Sequence, residues 1–298
     1  MIIALIIMGA PALLFSEETS GSEMPNTPLA GLKTVQEIKN KFSCNLQLAV
    51  EFLNYTETDM ELTPAQHSKS DSMNIVSHIN AVYKTNHLRI GINSTLPIVI
   101  GQGEEKWTRY QDNFTFQKDK LNYYWERIDT YLGYSFGKIA ENTFYAGIRA
   151  SEGIQRRTDF ISFGVPITGT STEKIYSTGQ IYGYSGERAI TPFFSVNWGA
   201  ELCLPINSRV TNSGMPGIVF KNKNRNAYTT KVKTGVTYKK NDKISFSFEI
   251  YGGKMIWEGS KVKTIRTYDP LGDYDTYYKW PRNETNYTGI SFGLRYSF

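Results

Sequence analysis

Three histidines, His67, His78 and His87, are the side chains of this sequence best suited to proton transfer or metal ligation. Their placement argues against both. His67 falls in a long polar stretch, His78 inside an alternating segment and His87 beside a tight turn, so no two can share a metal or form a base and its orienting partner. A lone histidine inside a strand reads as a hydrogen-bonded structural residue. No Walker-type loop, Gly-x-Ser-x-Gly elbow, His-Glu-x-x-His or Cys-x-x-Cys occurs, and Gly101-Gln102-Gly103 followed by Glu104 and Glu105 is not a phosphate loop. The expectation is a protein without catalytic residues, cofactor or metal.

Charge offers more. Arg127, Asp129 and Arg149 would lie close together on two adjacent strands, and Lys231, Lys233 and Glu249 would form a second group. Inside a narrow barrel these six could pair as a salt-bridged plug, or line a polar conduit for small ions or solutes. A third set, Tyr124, Glu126 and Arg156, falls on the opposite face at the outer ends of two neighbouring strands. Charged groups there belong at headgroup level, where an arginine can hold a lipid phosphate such as that of lipopolysaccharide.

The elements that position these residues are legible in side-chain parity, because successive Cβ atoms of a strand point to opposite faces. Ile290, Phe292, Leu294, Tyr296 and Phe298 share one face, and Gly289, Ser291, Gly293, Arg295 and Ser297 the other. Ile128, Leu132, Tyr134 and Phe136 oppose Arg127, Asp129 and Ser135, while Phe144, Ala146, Ile148 and Ala150 oppose Tyr145, Gly147 and Arg149. Val232 and Val236 oppose Lys231 and Lys233, and Phe246, Phe248 and Ile250 oppose Ser247 and Glu249, with Lys233 expected opposite Glu249. Ile190, Phe194, Val196 and Trp198 are expected to turn through Gly199-Ala200-Glu201 into Leu202, Leu204 and Ile206. Strands are predicted at 44–55, 74–84, 87–100, 121–136, 143–157, 187–198, 202–212, 226–239, 243–257 and 286–298. Tight connections at 85–86, 137–142, 199–201 and 240–242 alternate with long ones at 56–73, 101–120, 158–186, 213–225 and 258–285, the asymmetry of an outer-membrane barrel. The fold class is all-β, a closed antiparallel up-and-down transmembrane β-barrel of about ten strands, with short periplasmic turns and long extracellular loops. A soluble sandwich with the same alternation would have to bury Arg127, Arg149, Lys231 and Lys233 in a dry core, at several kcal/mol for each poorly paired ion.

Composition agrees. Aromatic residues make up 14% of the chain at a mean hydropathy of −0.38, polar on average yet rich in strand and interface formers. Residues 1–16 resemble a signal peptide, 17–43 would form a periplasmic segment and 44–298 the barrel. Cys44 and Cys203 are too few for a disulfide framework. The net charge of +5 is spread along the chain, so no nucleic-acid partner is indicated.

The stretches LNYYWERIDTYLGYSF, GERAI leading into PFFSVNW, YDPLGDYDTYYKW and the end YTGISFGLRYSF resemble the omptins, ten-stranded outer-membrane proteases. That resemblance implies an acidic pair on one side of the external mouth and an Asp-x-His pair on the other. The stretch after the seventh strand, RVTNSGMPGIVFKNKNRNA, holds neither acid nor histidine, and the second loop offers Glu104, Glu105 and Asp112 without a matching acidic pair. The resemblance therefore implies a shared scaffold without the protease chemistry, or a distant barrel family such as the Protochlamydia-type outer-membrane proteins. The expected role is non-enzymatic, at the surface of the bacterial outer membrane. External loops with Lys221, Lys223 and Arg225 would meet lipopolysaccharide or another surface, and the strand ending at Phe298 would meet the barrel-assembly machinery. A narrow channel is the second reading and an omptin-like peptidase with an unrecognised site the third.

Overall fold

The computed structural model describes residues 41–60, 65–137, 139–214, 218–221, 227–267 and 274–298. The expectations for residues 1–16 and for 17–40, and those for Lys223 and Arg225, lie outside the described residues. The strands are β1 (Lys41–Asp59), β2 (Gln66–Thr85), β3 (Leu88–Val99), β4 (Gln102–Arg109), β5 (Thr115–Phe136), β6 (Glu141–Ser162), β7 (Val165–Ile167), β8 (Ser171–Ala189), β9 (Phe194–Asn212), β10 (Val219–Lys221), β11 (Tyr228–Lys239), β12 (Ile244–Trp257), β13 (Lys263–Thr267), β14 (Tyr274–Tyr278) and β15 (Arg282–Ser297).

Each barrel strand pairs antiparallel with its neighbours, and β1 pairs with β15 as well as with β2, which closes the sheet. β3 and β4 are the lower and upper halves of one barrel strand between β2 and β5, so the ring has ten members. At the break between them the Gly101 N–H donates to Asn74 Oδ1 (2.9 Å) and the Gly101 carbonyl accepts from Asn122 Nδ2 (3.1 Å). Two asparagine side chains thus replace the missing ladder bonds, as buried backbone requires.

A belt of large apolar side chains faces outward near the turn end. Leu132 and Phe292 are 60% and 66% exposed, with Leu48, Ile148, Val232 and Ile250 on the same surface. An exposed band of this kind is stable only against hydrocarbon. Above the belt the outward rows turn polar, at Asn54 and Thr56 of β1, Glu126 and Asn122 of β5, Glu152 and Arg156 of β6, and Thr172 and Lys174 of β8. β5 and β6 run 22 residues each, about twice the 9–11 needed to cross a bilayer. The strands therefore project beyond the membrane at the end carrying the long loops. The chain is an integral transmembrane β-barrel of the bacterial outer-membrane type.

Four sequence expectations are corrected. Residues 171–186, placed in an external loop, form barrel strand β8 together with 187–189, and residues 194–198 and 202–212 of the two expected strands belong to one strand, β9. The tight turn lies at 190–193 and not at 199–201, where the backbone runs on through Gly199 and Glu201. Parity explains the confusion, since Phe194 through Ile206 keep one outward row across that stretch. Pro205, which cannot donate, sits at a bulge where Gly179 faces Pro205 and Thr178 faces Asn207. Lys233 faces Tyr251 across the ladder, and Glu249 faces Gly235, so Lys233 reaches Glu249 diagonally. His67 belongs to β2, where it pairs with Thr58, and not to a loop.

Candidate functional site

Inward-facing residues fill the lumen in three layers. The lowest, at the turn end, carries most of the charges expected from sequence. Arg149 holds Asp129 through two bonds (Nε to Oδ1, 2.7 Å; Nη2 to Oδ2, 2.8 Å), with both side chains buried. Its other partner is Glu201 (2.5 Å), the residue that sequence reading had assigned to a turn. The odd-numbered row of Ser195, Asn197, Gly199, Glu201 and Cys203 points Glu201 inward, and following parity through the presumed turn would have found it. Lys233 pairs with Glu249 (3.2 Å). Arg127 instead donates to Thr95 Oγ1 (3.0 Å), and Lys231 lies over the Tyr251 ring, 4.2 Å from its centroid. The six residues thus share one layer without forming one ion-pair network.

The middle layer is aromatic and apolar. Ala49, Leu53, Tyr55, Val76, Leu121, Tyr123, Tyr251, Met255 and Tyr287 form one buried cluster with Trp125 packed on it. Trp125 stacks on Trp257 (5.2 Å, 13°), linking this cluster to a second one of Ile175, Val210, Phe220, Ala227, Trp257 and Trp280. Glycines make room for the rings. A Cβ on Gly183 would overlap the Tyr145 ring, and one on Gly289 the Tyr251 ring, so each tyrosine lies flat over the neighbouring backbone.

The upper layer, beyond the membrane belt, was not foreseen. Arg157 is surrounded by Glu105 (2.5 Å), Glu57 (3.1 Å) and Glu173 (3.4 Å). Glu105 also accepts from Ser68 Oγ (2.6 Å), Tyr55 donates to Glu57, and Trp280 Nε1 donates to Glu173 (3.1 Å). Asp119 faces Glu105 directly across the β4–β5 pair. One guanidinium cannot neutralise four carboxylates. Burial, together with Glu173 and Glu105, pushes Glu57 up to about 8 against the pull of Arg157. Burial and the Glu105 charge raise Asp119 to about 7. Glu105 stays below the usual carboxylate range, since Arg157 outweighs its burial. These residues escaped detection because the outward rows at this height are mostly polar, at Thr56, Lys106, Arg156 and Lys174, so alternation gives no clear signal.

No acid–base constellation forms around these carboxylates. His67 faces outward, its ring 4.5 Å from that of Tyr110. His78 lies deep in the lumen, against Thr95 Oγ1 (2.9 Å) and the Tyr251 hydroxyl (3.1 Å). His87 meets the Ser135 carbonyl at the turn end (2.8 Å). Glu104 is exposed and paired with Lys106 (3.0 Å), while Asp112 bonds Arg109 within its own turn (2.7 Å). Among the described residues no three His, Cys, Asp or Glu side chains are grouped as a metal would need, and both cysteines are free. On the outer face Tyr124 and Arg156 sit just above the belt, where Arg156 is exposed and pairs across the ladder with Asn122. Glu126 faces Glu152, which binds Lys174 (3.3 Å), and Arg209 lies over the Tyr176 ring (5.0 Å).

Comparison with known proteins finds no matching family model and no matching curated protein. Among solved structures, the outer membrane protease OmpT from Escherichia coli is similar over 90% of this chain and 99% of its own, with TM-score 0.66 and 13% identity. The transport unit of the autotransporter AIDA-I from Escherichia coli covers 91% of this chain and 93% of its own, with TM-score 0.43 and 10% identity. OprG from Pseudomonas aeruginosa covers 88% and 97%, with TM-score 0.36 and 8% identity. The likeness to OmpT, at that identity, is one of fold, and the two weaker ones carry no argument. Together with the apolar belt and the alternation of tight turns and long loops, the shared fold identifies this chain as a ten-stranded bacterial outer-membrane β-barrel.

Proposed function

We propose that the protein is a non-enzymatic outer-membrane barrel that works through its outer surface and loop end. The observation that carries this reading is the filling of the lumen at mid-height by buried aromatic side chains, between two charged layers. A barrel closed in this way leaves its outer face and its loops as the surfaces free to meet partners. The charged row immediately above the belt, with Tyr124, Glu126 and Arg156 and the adjoining Lys174, suits lipopolysaccharide phosphates at headgroup level. At the other end the Phe298 ring packs 5.5 Å from that of Phe42 on the closing seam, which fits an assembly signal read from the last strand.

The OmpT likeness raises a peptidase reading. Against it, the buried loop-end acids are engaged by Arg157 and no histidine faces them. A narrow channel is opposed by the aromatic layer. Purified protein incubated with basic peptides is expected to leave them intact, and planar-bilayer recordings are expected to show no stepwise current. Cleavage that co-elutes with the folded barrel, or unitary conductance steps, would overturn the reading.

A further inference from the structure

A polar cavity of about 390 Å³ occupies the lower lumen, running from strand ends near Lys41, Lys84 and Ser297 up to His78, Arg127 and Lys231. Its acids are largely committed: Asp129 and Glu201 to Arg149, Glu249 to Lys233, Glu141 to Lys84 and Arg89, and Glu187 to Arg295. Arg127 and Lys231 are not. Among the described residues neither has a carboxylate within 4.0 Å. They are nevertheless joined by contacts. Arg127 donates to Thr95 Oγ1, His78 meets the same oxygen and the Tyr251 hydroxyl, and Lys231 lies over the Tyr251 ring. The Tyr251 hydroxyl itself donates to Glu51 Oε1 (2.8 Å). Two like charges facing a semi-enclosed space repel each other, and an anion held between them would relieve that repulsion.

We propose that this cavity is a binding site for a phosphate dianion, free or as a small phosphoester, entering from the turn end and held between Arg127 and Lys231. The guanidinium supplies a planar fork for phosphate oxygens and the ammonium a compact point charge, a complementary pair for one tetrahedral anion. The cavity is larger than inorganic phosphate, so an esterified group would fill the remainder. The proposal is independent of the surface role.

The test uses the full chain in detergent and follows the heat-modifiability midpoint on a gel. Inorganic phosphate is expected to raise the midpoint saturably, and chloride at matched ionic strength is expected not to. Lys231→Met should weaken the apparent phosphate affinity by at least about tenfold, while Lys231→Arg should retain it. A larger effect of glycerol phosphate identifies the phosphoester as ligand, and equal effects identify the free ion. The same response to phosphate and chloride in the unmodified chain would overturn the proposal. So would a folded Lys231→Met or Arg127→Gln variant that still responds like the parent.

Discussion

Arg149 and Asp129 stand directly opposite each other on β6 and β5, and two parallel hydrogen bonds of 2.7 and 2.8 Å make them one planar unit. Glu201, from β9, joins the same guanidinium at 2.5 Å, so three strands of the barrel wall, β5, β6 and β9, meet at one side chain. Replacing Arg149 by Met strands the buried Asp129 carboxylate and the part-buried Glu201 carboxylate. The expected loss is about 3–5 kcal/mol, the cost of removing one partner of a buried pair. A lower heat-modifiability midpoint for Arg149→Met, largely restored by adding Asp129→Asn and Glu201→Gln, checks it. A parent-like midpoint for the single variant would show that the unit contributes little.

The upper acids tie stability to pH. Glu57 titrates at about 8 in the folded chain against an ordinary value of 4.5, and Asp119 at about 7 against 3.8. A carboxyl raised on folding favours the folded state fully below its unfolded value and loses that contribution as pH rises through its folded value. The thermal midpoint is therefore expected to fall between pH 4.5 and about 8 and then to level. Glu57→Gln should flatten the upper part of that fall. A midpoint that instead rises across this window would contradict the protonated state.

Gly183 makes the position of Tyr145 possible. A side chain there would displace the ring and break the bond from the Tyr145 hydroxyl to Glu201 (3.2 Å). Gly183→Val is expected to destabilise by about 1–3 kcal/mol, the range for overpacking. In a Tyr145→Ala background the same change should cost much less, because the clash is gone. Equal costs in both backgrounds would show that the tyrosine is not the cause.

The outer face makes a separate prediction. Arg156→Ala combined with Lys174→Ala removes the two cations nearest Tyr124 and Glu126 on β6 and β8. Lipopolysaccharide co-purifying with the barrel is expected to drop about tenfold, as for the loss of one charge-assisted bond of roughly 1.5–3 kcal/mol. The thermal midpoint in lipid-free detergent should stay as it was. Unchanged lipid recovery would leave Arg156 a solvated rim residue.

How far the sequence could be read depended on which face met lipid. Where the outward row is apolar, as in β5, β6, β11, β12 and β15, parity placed the strands to within a few residues in the membrane zone. β8 went unseen because its signal is inverted. Gln180 and Thr178 face outward at belt height while Ile175 and Ile181 are fully buried inside. The upper charge cluster lay hidden for a related reason. Above the bilayer water touches the outer face, alternation is no longer required, and Glu57, Glu105 and Glu173 look like loop residues until the long ladders carry them together. Among the lower residues, sign and face were legible, but partner choice was not. Arg149 selects Glu201 through the register of a strand whose course had been misjudged, and Lys231 faces an aromatic ring.

The seam between β1 and β15, from Ser43 with Ser297 to Thr58 with Arg282, sets an order on biogenesis. The two strands are separated by almost the whole barrel sequence, so a chain that has not yet joined them carries an unmatched edge on each. During that interval the exposed edge is a template for neighbouring chains, and ring closure is slow because its two halves are so distant in sequence. Loss of β15 would therefore do more than narrow the wall. It would leave two open margins in one molecule, a product suited to aggregation or degradation instead of insertion.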